Sequence, residues 1–357
     1  MNDLHIVGAG PSGCISAISA IRNHNTNVIL SEEHKKVGVP TNCSGLFSKD
    51  GLKSLSKFVN YKKFIINRFN GAILNFAGEE IIVKRPSSVA YKLNRTLFDQ
   101  ELASNAEKEG AKINYNERIN SKFLSNNIIG ADGPSSIVAT MFGFPKITKF
   151  VSTIQLKTKF KSKDPHKVEL FYSNKLFPGF FGWIIPESEE YAEFGCGSVL
   201  PFNPKNNFLK FLKSNGVKES SNNKLSHWII PIHTRKSTSK QVGKRNVLLV
   251  GDAAGQIKST TGGGLIFGGN CAVLAGKYYT IPRRYEFEWR KKFGLDLFLH
   301  SQIQAFLGSR SENSLKNIGK LLKNTRLDSY FSKNGHMDKP SKMLKFDLVK
   351  HLFNFRS

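Results

Sequence analysis

The stretch from Asp3 to Glu33 limits the fold more than any other part of the chain. Asp3 to Val7 is a short apolar run. Gly8-Ala9-Gly10-Pro11-Ser12-Gly13 follows, and residues from Ser12 to Asn23 read as a helix. A second apolar run, Asn27 to Leu30, ends in Ser31-Glu32-Glu33. Strand, glycine turn, helix, strand and acid in this order form the dinucleotide-binding fingerprint in the context it requires. Gly8 permits the tight turn, Gly10 lets a pyrophosphate approach the backbone, and Gly13 lets the helix lie close on the strand. Ser12 stands at the helix start, where free N–H groups and the positive end of the dipole favour phosphate. Glu32, about 20 residues along, is expected to accept from ribose hydroxyls, with Glu33 as the fallback.

A second such stretch lies late in the chain. Asn246 to Val250 reads as a buried strand that delivers Gly251-Asp252, and the glycine cluster Gly262-Gly263-Gly264 follows. A carboxylate at a strand end beside small residues suits a polyol or ribose hydroxyl. Ile128 to Asp132 repeats the theme: a strand enters the turn Gly130-Ala131-Asp132-Gly133. Arg95 opens a helix that runs to Glu109. A structural ion pair and a phosphate contact are both open for it.

Between these stretches the pattern changes. Phe64 to Val83 reads as two strands, and Phe150 to Val199 as an antiparallel sheet. The latter holds Pro178-Gly179-Phe180-Phe181-Gly182-Trp183-Ile184-Ile185-Pro186, which suits either core packing or the apolar wall of a pocket. His34 to Asp50 is polar and turn-rich, hence a loop, and it carries Cys43. The residue types alone leave Cys43 open between a small gap-filling hydrophobe and a functional thiol. After Ala275 the chain reads as helices: Arg284 to Gln304, Ser311 to Lys323 and Lys342 to Phe353. The last is basic and amphipathic, so it either docks on its own domain or lies on an anionic membrane.

The 357 residues suffice for two domains, and 39% hydrophobic content with 28 Phe excludes a disordered chain. The net charge of +26 is either a compositional bias or a surface selected for anionic partners. No nucleic-acid-binding motif accompanies it, so nucleic acid is not expected. The four cysteines form no CxxC pair, so no metal site is expected and a reducing cytoplasm is. No leader precedes the first strand, and no run of about 18 apolar residues occurs, so membrane contact is expected to be peripheral at most.

With Gly8 to Gly13, Glu32, Arg95, Asp132 and Asp252 in this order, the chain resembles the flavoproteins built like p-hydroxybenzoate hydroxylase. Three details are similar to one branch, the geranylgeranyl reductase family. Pro40-Thr41-Asn42-Cys43-Ser44-Gly45 is similar to its Pro-x-x-Cys-x-Gly loop. Phe181-Gly182-Trp183-Ile184-Ile185-Pro186 is similar to its Tyr-x-Trp-x-Phe-Pro motif. Gly251 to Gly264, with Lys258 before Thr260-Thr261-Gly262-Gly263-Gly264, is the third. The chain departs from the pattern at Phe181, Ile185 and Ser259, where the family has Tyr, Phe and Pro. Ser259 is expected to loosen the turn.

The resemblance implies an α/β fold with a Rossmann-type FAD-binding domain (1–62, 87–149 and 241–283), an inserted antiparallel-sheet substrate domain (63–86 and 150–240) and a helical C-terminal region (284–357). It implies FAD as cofactor, with Gly8, Gly10, Ser12, Gly13, Glu32, Arg95, Asp132, Gly251, Asp252, Gly262, Gly263 and Gly264 as its ligands. Asp252 would hold the ribityl chain, and the Gly262–Gly264 backbone N–H groups would wrap the flavin ring. Phe180, Phe181, Trp183, Pro186 and Cys43 would meet the substrate, with Cys43 also the catalytic candidate. The implied activity is reduction of C=C bonds in geranylgeranyl chains of membrane lipids or isoprenoid precursors. A ferredoxin or transiently bound NAD(P)H would be the electron donor, since no second glycine fingerprint is present. A cytoplasmic enzyme, peripheral on the inner face of the membrane, is the expected setting. A flavin monooxygenase or halogenase of the same fold, and a non-catalytic flavin- or lipid-binding protein, remain alternatives.

Overall fold

The computed structural model describes residues 3–41, 43–120, 123, 125–217 and 225–343. The segment expected as a helix from Lys342 to Phe353 falls almost wholly outside them.

Leu4–Val7 is a fully buried strand at the centre of a six-stranded sheet. It pairs in parallel with Val28–Ser31 on one side and Asn127–Gly130 on the other, so Leu4 stands opposite both Val28 and Asn127. Lys112–Asn114 extends one edge in parallel, and Arg245–Leu249 the other, closed by antiparallel Ser239–Val242. The three parallel strands Leu4–Val7, Asn127–Gly130 and Arg245–Leu249 are neighbours. Their carboxyl ends therefore bring Gly8, Ala131-Asp132 and Gly251-Asp252 to one crest, where parallel sheets bind ligands.

The helix Pro11–His24 starts with Pro at its first turn, a position where the missing N–H costs nothing. It ends on Asn25, which adopts the left-handed conformation (φ 46°) and donates its N–H to the Ile21 carbonyl at 2.8 Å. Against it lies the helix Leu265–Tyr278, which follows the glycine cluster. The approach is close: a Cβ on Gly276 would stand 2.2 Å from the Ser16 carbonyl oxygen. The Ser16 and Ser19 hydroxyls donate to Ala272 and Val273 carbonyls. This contact holds two distant glycine loops at one end of the same helix pair.

A seven-stranded sheet makes the second layer, in the order Ser226–Pro231, Phe150–Lys159, Tyr191–Val199, Gly182–Pro186, Lys167–Tyr172, Gly71–Phe76, Glu79–Lys84. It is antiparallel except between Lys167–Tyr172 and Gly71–Phe76, which run parallel. Three strands, not two, cover Phe64 to Val83. Ile65–Phe69 is the extra one, and it joins a small sheet with Ala90–Leu93 and Leu46–Ser48. The same pairing corrects the loop expected from His34 to Asp50: Leu46–Ser48 is a strand, and Ser48 caps the short helix Lys49–Ser54 by accepting from the Gly51 N–H at 3.0 Å. The turn residues concealed it, since its partner Ala90–Leu93 lies far along the chain.

Helices dominate from residue 265 onward: the 27-residue Pro282–Gly308, then Glu312–Asn324 and Leu327–Asn334. Glu312–Asn324 packs Leu315 and Ile318 with Phe76 and Ile81 of the seven-stranded sheet. The fold is mixed α/β with parallel and antiparallel sheets and a helical C-terminal region. No helix among the described residues is long and apolar enough to cross a membrane.

Candidate active site

One cavity of about 1540 Å³ connects the crest of the six-stranded sheet to the face of the seven-stranded sheet. At its polar end stand Gly8, Gly10, Ser12, Glu32, Arg95, Asp132 and Asp252; at its apolar end stand Leu170, Phe180, Phe181, Trp183, Leu307 and Ile318. Cys43 and Gly262 to Gly264 line it as well.

The fingerprint glycines divide by role. A Cβ on Gly13 would stand 1.9 Å from the Gly8 carbonyl oxygen, so only Gly lets the helix sit here. A Cβ on Gly10 would meet nothing within 4 Å. The backbone beside Gly10 faces open space at the start of a helix, a cradle a Cβ would fill. Glu32 is buried; its Oε2 accepts the Ala9 N–H at 2.9 Å, and its Oε1 accepts the His34 N–H at 3.0 Å. The His34 Nδ1 lies 2.7 Å from Oε1 as well, so the carboxylate is fixed beside the turn and its remaining acceptor capacity lies mainly at Oε2.

Asp252 follows Gly251, which is left-handed at φ 64° and packs on Ser12. Burial pushes the Asp252 carboxyl up to about 6, against a smaller pull downward from Arg95. Asp132 also sits above the usual carboxylate range because of burial, opposed by hydrogen bonds from the Ser136 hydroxyl and the Val138 N–H. Those bonds make Asp132 a brace of the third strand's turn.

Arg95 makes the structural ion pair. Its guanidinium forks onto Asp99 at 3.0 and 2.9 Å, and it also lines the cavity beside Cys43. Cys43 Sγ accepts the Gly45 N–H at 3.4 Å.

Three expectations need correction. Pro186 does not border the cavity: Phe181, Trp183 and Ile185 line it, and alternation along the strand turns Pro186 to the other face. The Gly262 N–H is spent inside the turn, on the Lys258 carbonyl at 2.8 Å, and so is not a donor toward the cavity. Ser259 does not loosen that turn: it is buried, and its hydroxyl donates to the Ile232 carbonyl at 2.6 Å. The hydroxyl ties the loop to the chain beyond the edge strand Ser226–Pro231.

Several buried polar side chains near the cavity were not foreseen, and Lys258, which was, has an unforeseen partner. Lys258 Nζ donates to Asp338 Oδ1 at 2.8 Å, and the Ser48 hydroxyl donates to the other oxygen of that carboxylate; all three are buried. Burial works to raise the Asp338 carboxyl, but Lys258 and the Ser48 hydroxyl hold it below its ordinary range. Nearby His300 is pushed down to about 4 by burial and by Lys258, so it is neutral at physiological pH. Its Nδ1 lies 2.8 Å from the Thr260 hydroxyl. Behind the apolar wall, Lys92 pairs with Glu193 at 2.9 Å and Glu187 at 3.2 Å, and the Trp183 indole N–H donates to Glu193 at 3.4 Å. A buried cation inside an apolar strand gave the one hint, since it needs a partner.

No family model matches the chain. An uncharacterized protein of Methanocaldococcus jannaschii is 28% identical across 96% of this chain and 93% of its own length. Digeranylgeranylglycerophospholipid reductases of Methanothrix thermoacetophila and M. jannaschii are each 25% identical, covering 88% and 90% of this chain and 90% of theirs. These relatives and this fold support the geranylgeranyl reductase family for the chain. A geranylgeranyl bacteriochlorophyll reductase-like protein of Thermoplasma acidophilum has the same fold, with a TM-score of 0.81 over 99% of this chain and 98% of its own, at 22% identity. A flavin-dependent brominase shares the architecture more distantly, at TM-score 0.65 and 12% identity.

The names of these relatives and structural neighbours support an oxidoreductase of the flavoprotein class. The residues fit FAD. The open cradle at Gly10 would take a pyrophosphate, Glu32 at the end of the adjacent strand would accept from a ribose, and Asp252 lies at the same crest two strands from the fingerprint strand.

Proposed function

We propose that the protein is an FAD-dependent reductase that saturates C=C bonds of geranylgeranyl chains in membrane lipids or their isoprenoid precursors. The observation that carries this reading is the continuity of the cavity. At about 1540 Å³ it exceeds the ~300–1,000 Å³ of a site for one ligand. Its polar end has the chemistry of a dinucleotide, and its other end is walled by apolar side chains that suit a chain with no polar handle.

Reduced FAD, when bound, supplies hydride. The remaining tasks fall to the protein. Glu32 and Asp252 accept from sugar hydroxyls, and the helix start at Gly10 to Ser12 offers N–H groups to phosphate. Phe180, Phe181 and Trp183 exclude water from the alkene, and Glu193 fixes the Trp183 ring from behind. Cys43, which lines the cavity, is our candidate proton donor to the second carbon of the alkene. A ferredoxin-type protein or transiently bound NAD(P)H is the electron donor in this reading, and the enzyme works in the cytoplasm at the inner membrane surface.

Two measurements test the reading. Protein purified without added cofactor should show the visible spectrum of an oxidised flavin, and lipid extracted from it should be prenylated by mass. Cys43→Ala should retain FAD and lose turnover. Loss of FAD together with activity would return Cys43 to a structural role.

A further inference from the structure

We propose that the outward face of the helix Pro282–Gly308 docks on an anionic lipid bilayer, with the cavity opening into that contact. Phe287, Leu295, Phe298 and Phe306 are 56, 62, 58 and 49% exposed. Their spacings place them within one stripe along the helix. Tyr285, Trp289, Leu297 and His300 take the opposite side and are buried in the fold. Four large apolar side chains in one exposed row mark an interaction surface.

The row leads to the cavity. Ile303 and Phe306 line it and are themselves 40 and 49% exposed, so the apolar space reaches the surface at the end of the stripe. The charges beside the row select the occupant. Glu286 and Glu288 are engaged by Arg290 and Arg284, each at 2.6 Å. The cations Arg283, Lys291, Lys292 and Arg310 complete the helix and its end. The Lys291 ammonium lies 5.7 Å from the Phe287 ring centre, and the Arg310 guanidinium 4.3 Å from that of Phe306. Long cations lying along aromatic rings form the pattern of a helix lying in a lipid interface. The net charge of +26 adds attraction to anionic headgroups. The mouth then admits a hydrocarbon chain directly from the bilayer. That last clause rests on the lipid-reductase reading; the docking itself does not.

The test uses the full chain and vesicles of phosphatidylcholine alone or mixed with phosphatidylglycerol. Co-sedimentation should favour the anionic vesicles and weaken as salt is raised. Leu295→Ser with Phe298→Ser, neither of which lines the cavity, should weaken it about tenfold or more. Lys291→Glu with Lys292→Glu should abolish the preference for anionic lipid. Leu295→Trp should be quenched by brominated lipid, and this readout stands even if the double serine variant unfolds. Unchanged sedimentation in both double variants, or an unquenched tryptophan, would overturn the proposal. So would a wild-type dimer that the serine variant dissociates without loss of vesicle binding, since the row would then join two copies of the chain. Turnover of detergent-dispersed prenyl lipid separates the two readings. It should survive the serine substitutions, and its absence in every form of the protein would sink the reductase while leaving the docking result intact.

Discussion

At Gly10 and Gly13 the same residue type does two different things, and a single methyl group separates them. Gly10 has an extended backbone (φ −64°, ψ 179°) that Ala adopts without strain, and a Cβ there meets no protein atom. Gly10→Ala should therefore keep the wild-type thermal midpoint while losing FAD affinity, measured by flavin titration of the apoprotein. Gly13→Ala should lose both, because its Cβ would drive into the Gly8 carbonyl. Asp252 gives a pH signature. With its carboxyl raised from 3.8 to about 6 by burial, it is largely neutral at pH 5 and ionised at pH 7. The ionised form accepts more from ligand hydroxyls, so FAD affinity should rise as pH goes from 5 to 7, and Asp252→Asn should flatten that rise. Stability of the apoprotein moves the other way: the folded state binds the proton more tightly, so this group's contribution falls as pH climbs between those two values.

The C-terminal elements are held to the cavity loops by the buried Lys258–Asp338–Ser48 cluster. Removing one partner of a buried pair leaves the other charge uncompensated, at a cost of about 3–5 kcal/mol. Asp338→Ala should cost that much in urea unfolding, and because Asp338 is held below its ordinary range, the wild type should lose part of its stability as pH falls through that lowered value. The double change Lys258→Met with Asp338→Leu should recover most of the loss. These elements also show what a sequence can and cannot carry. The fingerprint strand, turn and helix are local, and each glycine answers a neighbour within a few residues. The Gly251-Asp252 turn was readable for the same reason. The Lys258–Asp338 pair spans 80 residues, and no periodicity links its members. The strand Leu46–Ser48 hid because its hydrogen bonds come from Ala90–Leu93 rather than from its own turn. Pro186 was misplaced by the same limit: the motif gave the residues, while strand alternation decided which of them face the cavity.

For the molecule as a whole, two large sheets, a small third one and a helical cover enclose a space with a polar and an apolar half. The α/β fold with a separate, mostly antiparallel sheet was legible from the order of motifs. The closing of the apolar half by Leu307 and Ile318 was not, since those helices read as amphipathic whichever face they bury. The central claim is that a hydride from flavin reaches an isolated alkene held in the apolar half. The most direct measurement is anaerobic mixing of the reduced, FAD-loaded protein with a geranylgeranyl diether phospholipid, followed by the flavin spectrum and the lipid mass. The account predicts reoxidation of the flavin with a gain of two hydrogens for each bond reduced. A flavin that stays reduced beside a lipid of unchanged mass, or that turns over only when dioxygen is admitted and yields an oxygenated product, would contradict it.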